Sequence, residues 1–507
     1  MASAPEVWPH DSFNTSLVAN VHPSDWVNPE PRGRYNLVVI GAGTAGLVSA
    51  AGAAGLGAKV ALVERHLMGG DCLNVGCVPS KGVLRASRAL FDARSSGGFG
   101  VRGSEGLGFD FPAAMERMRR LRADISHHDS ARRFRDELGV DVFIGHGQFA
   151  GPDCIEVEGK KLFFERAAVC TGARAAVPPT PGLAEAGYLT NETVFTLTEL
   201  PPRLAVIGGG PIGCELAQAF ARFGSRMTLI HHGAHLLGRE DSDAAAILQA
   251  VFGREGIDLR LGATMERVEH EGQEKTLHFT QDGVAHQIRA DAILVAVGRA
   301  PNLEGLGLDQ AGIACNRAGV RVDDRLQTTN PRVYAAGDIC SPYKFTHTAD
   351  AQARILLANA LFKGRRKVSG LIVPWCTYTD PEIAHVGLSE RDARERDIPI
   401  ATLTVALADV DRAILDGETE GFVRVHLRKG TDTILGATLV ARHAGEMINE
   451  LSLAITTGLG LGAIGRTIHP YPTQAEAIRK LADAYNRTRL TWLVKKILGG
   501  WLQWQRR

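Results

Sequence analysis

An α/β fold with two parallel-stranded domains and a smaller C-terminal α+β domain is what this 507-residue sequence predicts. Three observations predict it. A glycine-rich strand–turn–helix–strand unit begins at residue 35, the same unit returns about 165 residues further on, and from about residue 372 the texture becomes strand-rich. Length agrees, since roughly 100–200 residues per domain leaves room for three. Composition sets the outer limits: 45% hydrophobic and 22% charged residues suffice for an ordinary globular core. Lys+Arg at 57 against Asp+Glu at 56 gives a net charge of +1, so no overall field draws the chain to nucleic acid or membrane. No apolar run reaches the roughly 18–20 residues that span a bilayer. The opening MASAPEVWPHDSFNTS lacks the basic region and apolar core of a secretory signal. Of eight cysteines six are isolated, and a reducing, cytoplasmic setting is expected.

Residues 1–34 are polar and proline-containing without clear periodicity, and are expected to form an extension. Order begins at YNLVVIGAGTAGLVSAAGAAGLGAKVALVE: an apolar strand, a glycine turn, an Ala/Gly-rich helix and a second apolar strand. Gly41, Gly43 and Gly46 satisfy GxGxxG there. The first glycine permits the tight turn, the second lets a pyrophosphate approach the backbone, and the third lets the helix pack on the strand. Glu64, 23 residues after Gly41, ends the next strand, where a carboxylate binds ribose hydroxyls. This is a Rossmann-like unit, and RLAVIGGGPIGCELAQAFARFGSRMTLIHH repeats it with Gly208, Gly210 and Gly213. The same count of 23 now lands on His231, followed by His232. A carboxylate there would repel a 2′-phosphate, whereas imidazoles tolerate or bind one. NADPH is therefore expected ahead of NADH; the alternative is that the histidines only cover the strand end and both bind. Between the two units, FPAAMERMRRLRADISHHDSARRFRDELG reads as a charged helix, with His127 and His128 on a solvated face rather than as metal ligands.

The segment GGDCLNVGCVPSK places Cys72 and Cys77 at the expected start of a helix, where a thiol pKa falls and the thiolate fraction rises. Gly69, Gly70 and Gly76 allow a planar ligand to approach the backbone, and Lys81 adds a cation. A static disulfide would need none of that context. With these motifs the chain resembles the flavoprotein disulfide reductases, the class I pyridine nucleotide-disulfide oxidoreductases that include mercuric reductase, dihydrolipoamide dehydrogenase and glutathione reductase. The resemblance runs over about residues 35–487. In it CTGARAAVPPTPG brings Thr171 and Gly172 near the flavin nucleotide, and VAVGRAPN brings Gly298 to the second nucleotide. VYAAGDIC supplies Asp338 at the ribityl or phosphate end, and Thr346 in FTHTAD meets the flavin through its N–H. Gly70 and Gly147 fall on the flavin side, and Lys81 with Glu215 matches the ion pair beside the isoalloxazine ring. The implied cofactor is FAD, held by residues 35–182 and 303–371, with NADPH on residues 183–302. Hydride passes to the flavin and electrons to the disulfide, with Cys77 nearer the flavin and Cys72 meeting substrate. The resemblance also implies a homodimer formed through residues 372–487, with each site shared between subunits.

Residues 469–476 read HPYPTQAE. In disulfide-reducing members of the resembled family an acid/base His stands five residues before a Glu that orients it. Counting back from Glu476 gives Tyr471, with Pro472 and Thr473 in register and His469 two residues early. A phenol, with an ordinary pKa of about 10, is a poor base at neutral pH but donates a hydrogen bond or touches a soft metal ion. Mercuric reductases carry a tyrosine in this segment. Two readings follow: Tyr471 marks a metal-ion reductase, with Cys72 and Cys77 as transient ligands of Hg(II) or another soft ion, or His469 serves a dihydrolipoamide or low-molecular-weight disulfide reductase. The chain has no CxxC, and LTWLVKKILGGWLQWQRR lacks the cysteine pair that relays mercury inward, so delivery would be direct and a copper or oxidant-responsive reductase is a neighbouring reading. No structural metal is expected. Cys154, Cys170, Cys214, Cys315, Cys340 and Cys376 read as small buried apolar residues.

In the tail, 488–507, Leu490, Leu493, Val494, Ile497, Leu498, Trp501 and Leu502 recur at helical spacing beside Lys495, Lys496, Arg506 and Arg507. With Trp492, Trp501 and Trp504 suited to a lipid headgroup boundary, one reading is an interfacial helix, with peripheral membrane contact and a membrane-docked redox partner as function class. The other is that the tail packs on the dimer or frays, since Gly499 and Gly500 would interrupt a long helix.

Overall fold

The computed structural model describes residues 5–104 and 106–506, so Arg507 of the tail lies outside the described residues. The chain divides into two compact units, residues up to 232 together with 262–371, and residues 233–261 together with those from 372 onward.

In the first unit the strand Tyr35–Ile40 pairs in parallel with Val60–Glu64 on one side and Lys160–Val169 on the other. Asp141–Ile144 and Val333–Ala335 extend the same sheet, also in parallel. Its central strands are continuous apolar runs because both faces are covered. Leu37 and Val39 enter one core with Leu62 and Leu356, and Val38 and Ile40 enter the other with Phe143, Phe149 and Phe164. The helices Thr44–Gly55 and Thr346–Phe362 are packed together on the first of these faces. The second motif repeats the arrangement, with Arg203–Ile207 parallel to Arg226–His231 and Ala292–Val295. An antiparallel meander of Ala263–Glu271, Glu274–Gln281 and Val284–Ala290 adds Val268, Leu277 and Phe279 to its core.

The amino-terminal extension is not irregular. Ser12–Val21 is a helix capped by Asp11, whose carboxylate accepts the Asn14 N–H at 2.8 Å, and Leu17 and Val21 are fully buried in the first core. Only these two large residues are fully buried, with Val18 packed partly buried beside them, and polar groups anchor the rest. Asn14 accepts from Arg122 at 2.7 Å and Asp11 from Arg119 at 2.5 Å. A helix held through buried hydrogen bonds leaves no apolar periodicity to read.

The second unit is an antiparallel sheet in the spatial order Pro374–Thr377, Glu382–Gly387, Ile434–Ala441, Phe422–Arg428, Ile400–Ala406. The helices Ala444–Thr457 and Glu476–Arg489 bury Leu451, Ile478 and Leu481 in its core. Residues 233–261 group with this unit. Within it Trp375 donates its indole N–H to Glu240 at 2.6 Å, and Arg424 reaches Asp241 at 3.3 Å and Asp243 at 3.1 Å. Burial pushes the Glu240 carboxyl up to about 7. Trp492–Gln505 is one continuous helix, running through Gly499 and Gly500 without the expected interruption. Of the lone cysteines, Cys154, Cys170 and Cys214 are buried, but Cys340 and Cys376 are half-buried and Cys315, on a two-residue surface strand, is exposed. Among the described residues no helix is long and apolar enough to cross a membrane.

Candidate active site

The two glycine motifs separate what folding needs from what a ligand needs. A Cβ on Gly41, at φ +99°, would lie 2.4 Å from the Cys170 carbonyl oxygen, and one on Gly46 would lie 1.8 Å from that of Gly41. Gly43 has only an ordinary 3.7 Å neighbour in Gly70. Gly208 and Gly213 meet backbone oxygens at 2.3 and 1.9 Å, while Gly210 meets nothing within 4 Å. The outer glycines are required by strand and helix; the middle one opens onto space, as a cradle for phosphates requires. Glu64 accepts the Ala42 N–H at 2.7 Å and the His66 N–H at 2.8 Å, and burial pushes its carboxyl up. In the second motif the corresponding bond is made by His231, whose Nδ1 accepts the Gly209 N–H at 3.2 Å, with His232 edge-on at 4.7 Å. One nitrogen of His231 is thus committed to the loop.

A small cleft lies beside the first motif, lined among others by Gly41, Glu64, Gly147, Thr171, Asn302 and Glu304. Thr171 and Asn302 exchange hydrogen bonds at 3.0 and 2.9 Å, which joins the two family-like segments at its wall. Gly172 and Gly298 both have positive φ, +67° and +131°. These residues fit an adenine dinucleotide: a Cβ-free approach for phosphates, a carboxylate for ribose and a half-polar slot. Asp338 is held up by burial and faces Arg299 at 3.4 Å. Arg299, which sequence reading passed over, also pairs with Asp71, one residue before Cys72. It therefore links Asp338 to the loop that carries Cys72.

Cys72 lies on the short helix Gly70–Asn74, and Cys77 is the first residue of the helix Cys77–Ser95. The return between them needs Gly76, where a Cβ would sit 2.6 Å from the Asp71 carbonyl oxygen. Both sulfurs are free thiols. The Cys77 sulfur is 3.3 Å from the hydroxyl of Thr346, itself the first residue of Thr346–Phe362, so two helix N-termini converge on it. A hydrogen bond from the Cys72 thiol, the Thr346 hydroxyl and the Lys81 cation lower the Cys77 thiol to about 6, against burial and the charge of Glu215. Donating that bond, together with burial, pushes Cys72 up. Lys81 is fixed by buried Glu215 at 2.9 Å. Below the loop, Arg122 donates to the Asn74 carbonyl at 2.6 Å and Asn191 to that of Val75 at 3.2 Å. The two thiols are thus driven apart, Cys77 towards the thiolate and Cys72 towards the thiol, the asymmetry that thiol exchange uses.

Tyr471, His469 and Glu476 belong to the second unit and do not pair as the segment suggested. Tyr471 is 69% exposed, and its hydroxyl donates to Asp411 at 2.9 Å, which pushes the phenol up. The His469 side chain is only 8% exposed, held between Glu450 at 2.9 Å and the Thr467 carbonyl at 3.1 Å. Buried Glu476 pairs with Arg479 at 3.1 Å, and its Oε2 has no hydrogen-bond partner. The orienting carboxylates are therefore Asp411 and Glu450. Both stand far from the motif in sequence and carry no signal that would have marked them. His127 and His128 lie exposed, ring against ring at 3.8 Å.

A family model described as pyridine nucleotide-disulphide oxidoreductase matches residues 35–353, and the corresponding dimerisation domain matches residues 373–482. The chain is 36% identical over 454 residues to a mercuric reductase of Bacillus cereus, covering 89% of this chain and 72% of that protein. It is 34% identical over 467 residues to a dihydrolipoyl dehydrogenase of Thermus scotoductus, covering 89% and 98%. Among solved structures, the Cu(II) complex of the HOCl-induced flavoprotein disulfide reductase RclA from Escherichia coli has a TM-score of 0.80 at 29% identity. That match covers 89% of this chain and all of that one.

Proposed function

The chain belongs to the pyridine nucleotide-disulphide oxidoreductase family, and on that premise we propose an enzyme that carries electrons from NADPH through FAD to the Cys72/Cys77 couple and on to a soft, thiol-reactive metal ion. The family is FAD-dependent and uses pyridine nucleotide. The observation that carries this reading is the pairing of a thiolate held near pKa 6 at Cys77 with an exposed tyrosine, not a histidine, in the donor segment. When bound, FAD supplies the two-electron carrier between nicotinamide and disulfide. Gly41, Gly43, Gly46, Glu64, Gly70, Gly147, Thr171, Gly172, Asp338 and Thr346 would hold it, with Lys81 and Glu215 alongside. Gly208, Gly210, Gly213, His231, His232 and Gly298 would hold NADPH, with NADH as the weaker donor. Cys77 rests as thiolate while Cys72 keeps its proton until a thiophilic ion displaces it. Two copies of the chain, paired through the dimerisation domain, would bring Tyr471 of one to the thiols of the other. There the phenol's one proton is given to Asp411, so Tyr471 would meet the ion through its oxygen lone pairs. The names of relatives agree in kind, one a mercuric reductase and one a Cu(II) complex.

A second reading, reduction of lipoamide or a small disulfide, is favoured by the His469–Glu450 pair, which has the form of an oriented acid/base. Measuring NADPH oxidation with Hg(II) or Cu(II) plus buffering thiol, and separately with lipoamide or glutathione disulfide, separates the two. We expect metal-dependent turnover that vanishes in Cys72→Ser and falls roughly 10–100-fold in Tyr471→Phe, with His469→Ala within about threefold of wild type. Disulfide turnover abolished by His469→Ala would replace the metal reading with the second.

A further inference from the structure

We propose that the C-terminal helix, residues 492–505, docks this protein on an anionic lipid surface, lying flat in the headgroup region. Every side chain of this helix is at least partly open and none is buried. At 3.6 residues per turn, Leu493, Ile497, Leu498, Trp501, Leu502 and Trp504 fall on one half of the circumference, and each is between 48% and 65% exposed. Lys495, Lys496, Gln503 and Arg506 fall on the other half, as do Gly499 and Gly500. The paired glycines therefore occupy polar positions, where the missing side chains cost the apolar face nothing. Thr491 caps the helix by accepting the Val494 N–H at 3.4 Å, Lys496 lies over the Trp492 ring at 5.2 Å, and Trp501 packs on Trp504 at 5.2 Å.

Charge selects the occupant. The whole chain carries only +1, yet residues 484–507 contain six Lys or Arg and no Asp or Glu. Three of the six tryptophans of the chain stand in this one helix. An apolar half flanked by cations and tryptophans is the pattern of a helix that lies in a membrane interface, drawn there by anionic headgroups. At 14 residues, about 21 Å, it is too short to span the hydrocarbon. The matched family segments end at residue 482, so the helix is an addition to the shared fold. This inference does not depend on the identity of the electron acceptor.

The test is co-sedimentation of the full-length holoenzyme with vesicles of phosphatidylcholine alone or mixed equally with phosphatidylglycerol. We expect at least fivefold more protein in the pellet with the mixed vesicles, a loss of that excess at high salt, and a tryptophan emission shift to the blue. Ile497→Glu with Trp501→Glu should abolish pelleting, and Lys495→Glu with Lys496→Glu should reduce it severalfold. Both variants should keep NADPH-dependent turnover and the sedimentation-equilibrium mass of the parent. Equal pelleting with both vesicle types, no pelleting with either, or retention by the Ile497→Glu/Trp501→Glu variant would overturn the proposal. A fall in mass on Ile497→Glu/Trp501→Glu would also overturn it, since the helix would then belong to the subunit contact.

Discussion

At Cys77 the protein lowers a thiol with three devices at once, a neighbouring thiol, a hydroxyl and a lysine, where two helix ends meet. Inactivation of the reduced enzyme by iodoacetamide should therefore be half-maximal near pH 6, well below the ordinary cysteine value of about 8.5. Thr346→Val removes one donor and should raise that midpoint by about one pH unit; an unmoved midpoint would show that the hydroxyl does not serve the thiolate. The cysteines and Lys81 were legible in the sequence because their spacing and neighbours are local; Glu215, 134 residues from Lys81, came only through the family resemblance. Thr346 was marked for its backbone, but its hydroxyl role was not legible, since it stands 269 residues from Cys77. Arg299 lies 228 residues from Asp71 and went unseen for the same reason. Counting from Glu476 puts Tyr471 in the donor position of the segment, yet its partner is Asp411, because in the folded domain Glu476 is turned inward to Arg479.

Among the elements, the βαβ units could be read because their apolar runs and glycines are dictated by covered parallel strands. The helix Ser12–Val21 could not, because it is held as much by Asn14 and Asp11 as by Leu17 and Val21. Leu17→Ala should cost roughly 2–4 kcal/mol of stability, the range for an aliphatic truncation in a packed core, as read from urea unfolding. Asn14→Ala should cost a further share by leaving the buried Arg122 guanidinium short of an acceptor. Because Arg122 also holds the Asn74 carbonyl, that variant should alter the iodoacetamide profile of Cys77 as well. A profile identical to wild type would mean the helix stabilises the fold without shaping the redox loop.

For the molecule as a whole, Glu240 sets a pH dependence of stability. Burial holds its carboxyl up to about 7 in the folded chain, whereas an unfolded glutamate titrates near 4.3. The folded state keeps a proton that the unfolded state has lost, so this contribution is complete below about pH 4.3 and disappears as pH rises through about 7. Glu240→Gln, which retains an acceptor for Trp375, should gain up to about 3 kcal/mol over wild type at pH 8 and little at pH 5, measured as the difference in thermal midpoints. If two subunits share each site, mixing inactive Cys72→Ser with impaired Tyr471→Phe protein and letting them exchange should bring metal turnover to about a quarter of wild type, because hybrid dimers regain one intact site. No restoration would confine each site to one subunit. The N-terminal helix carries a last consequence, for the order of synthesis. Its first partners, Arg119 and Arg122, leave the ribosome about 100 residues after it, and the core that buries Leu17 is completed only with Leu326 and Leu356. The earliest segment made is thus among the last to be sealed, and through Arg122 the redox loop waits with it, so a truncated nascent chain carries its cysteines without the setting that makes one of them a thiolate.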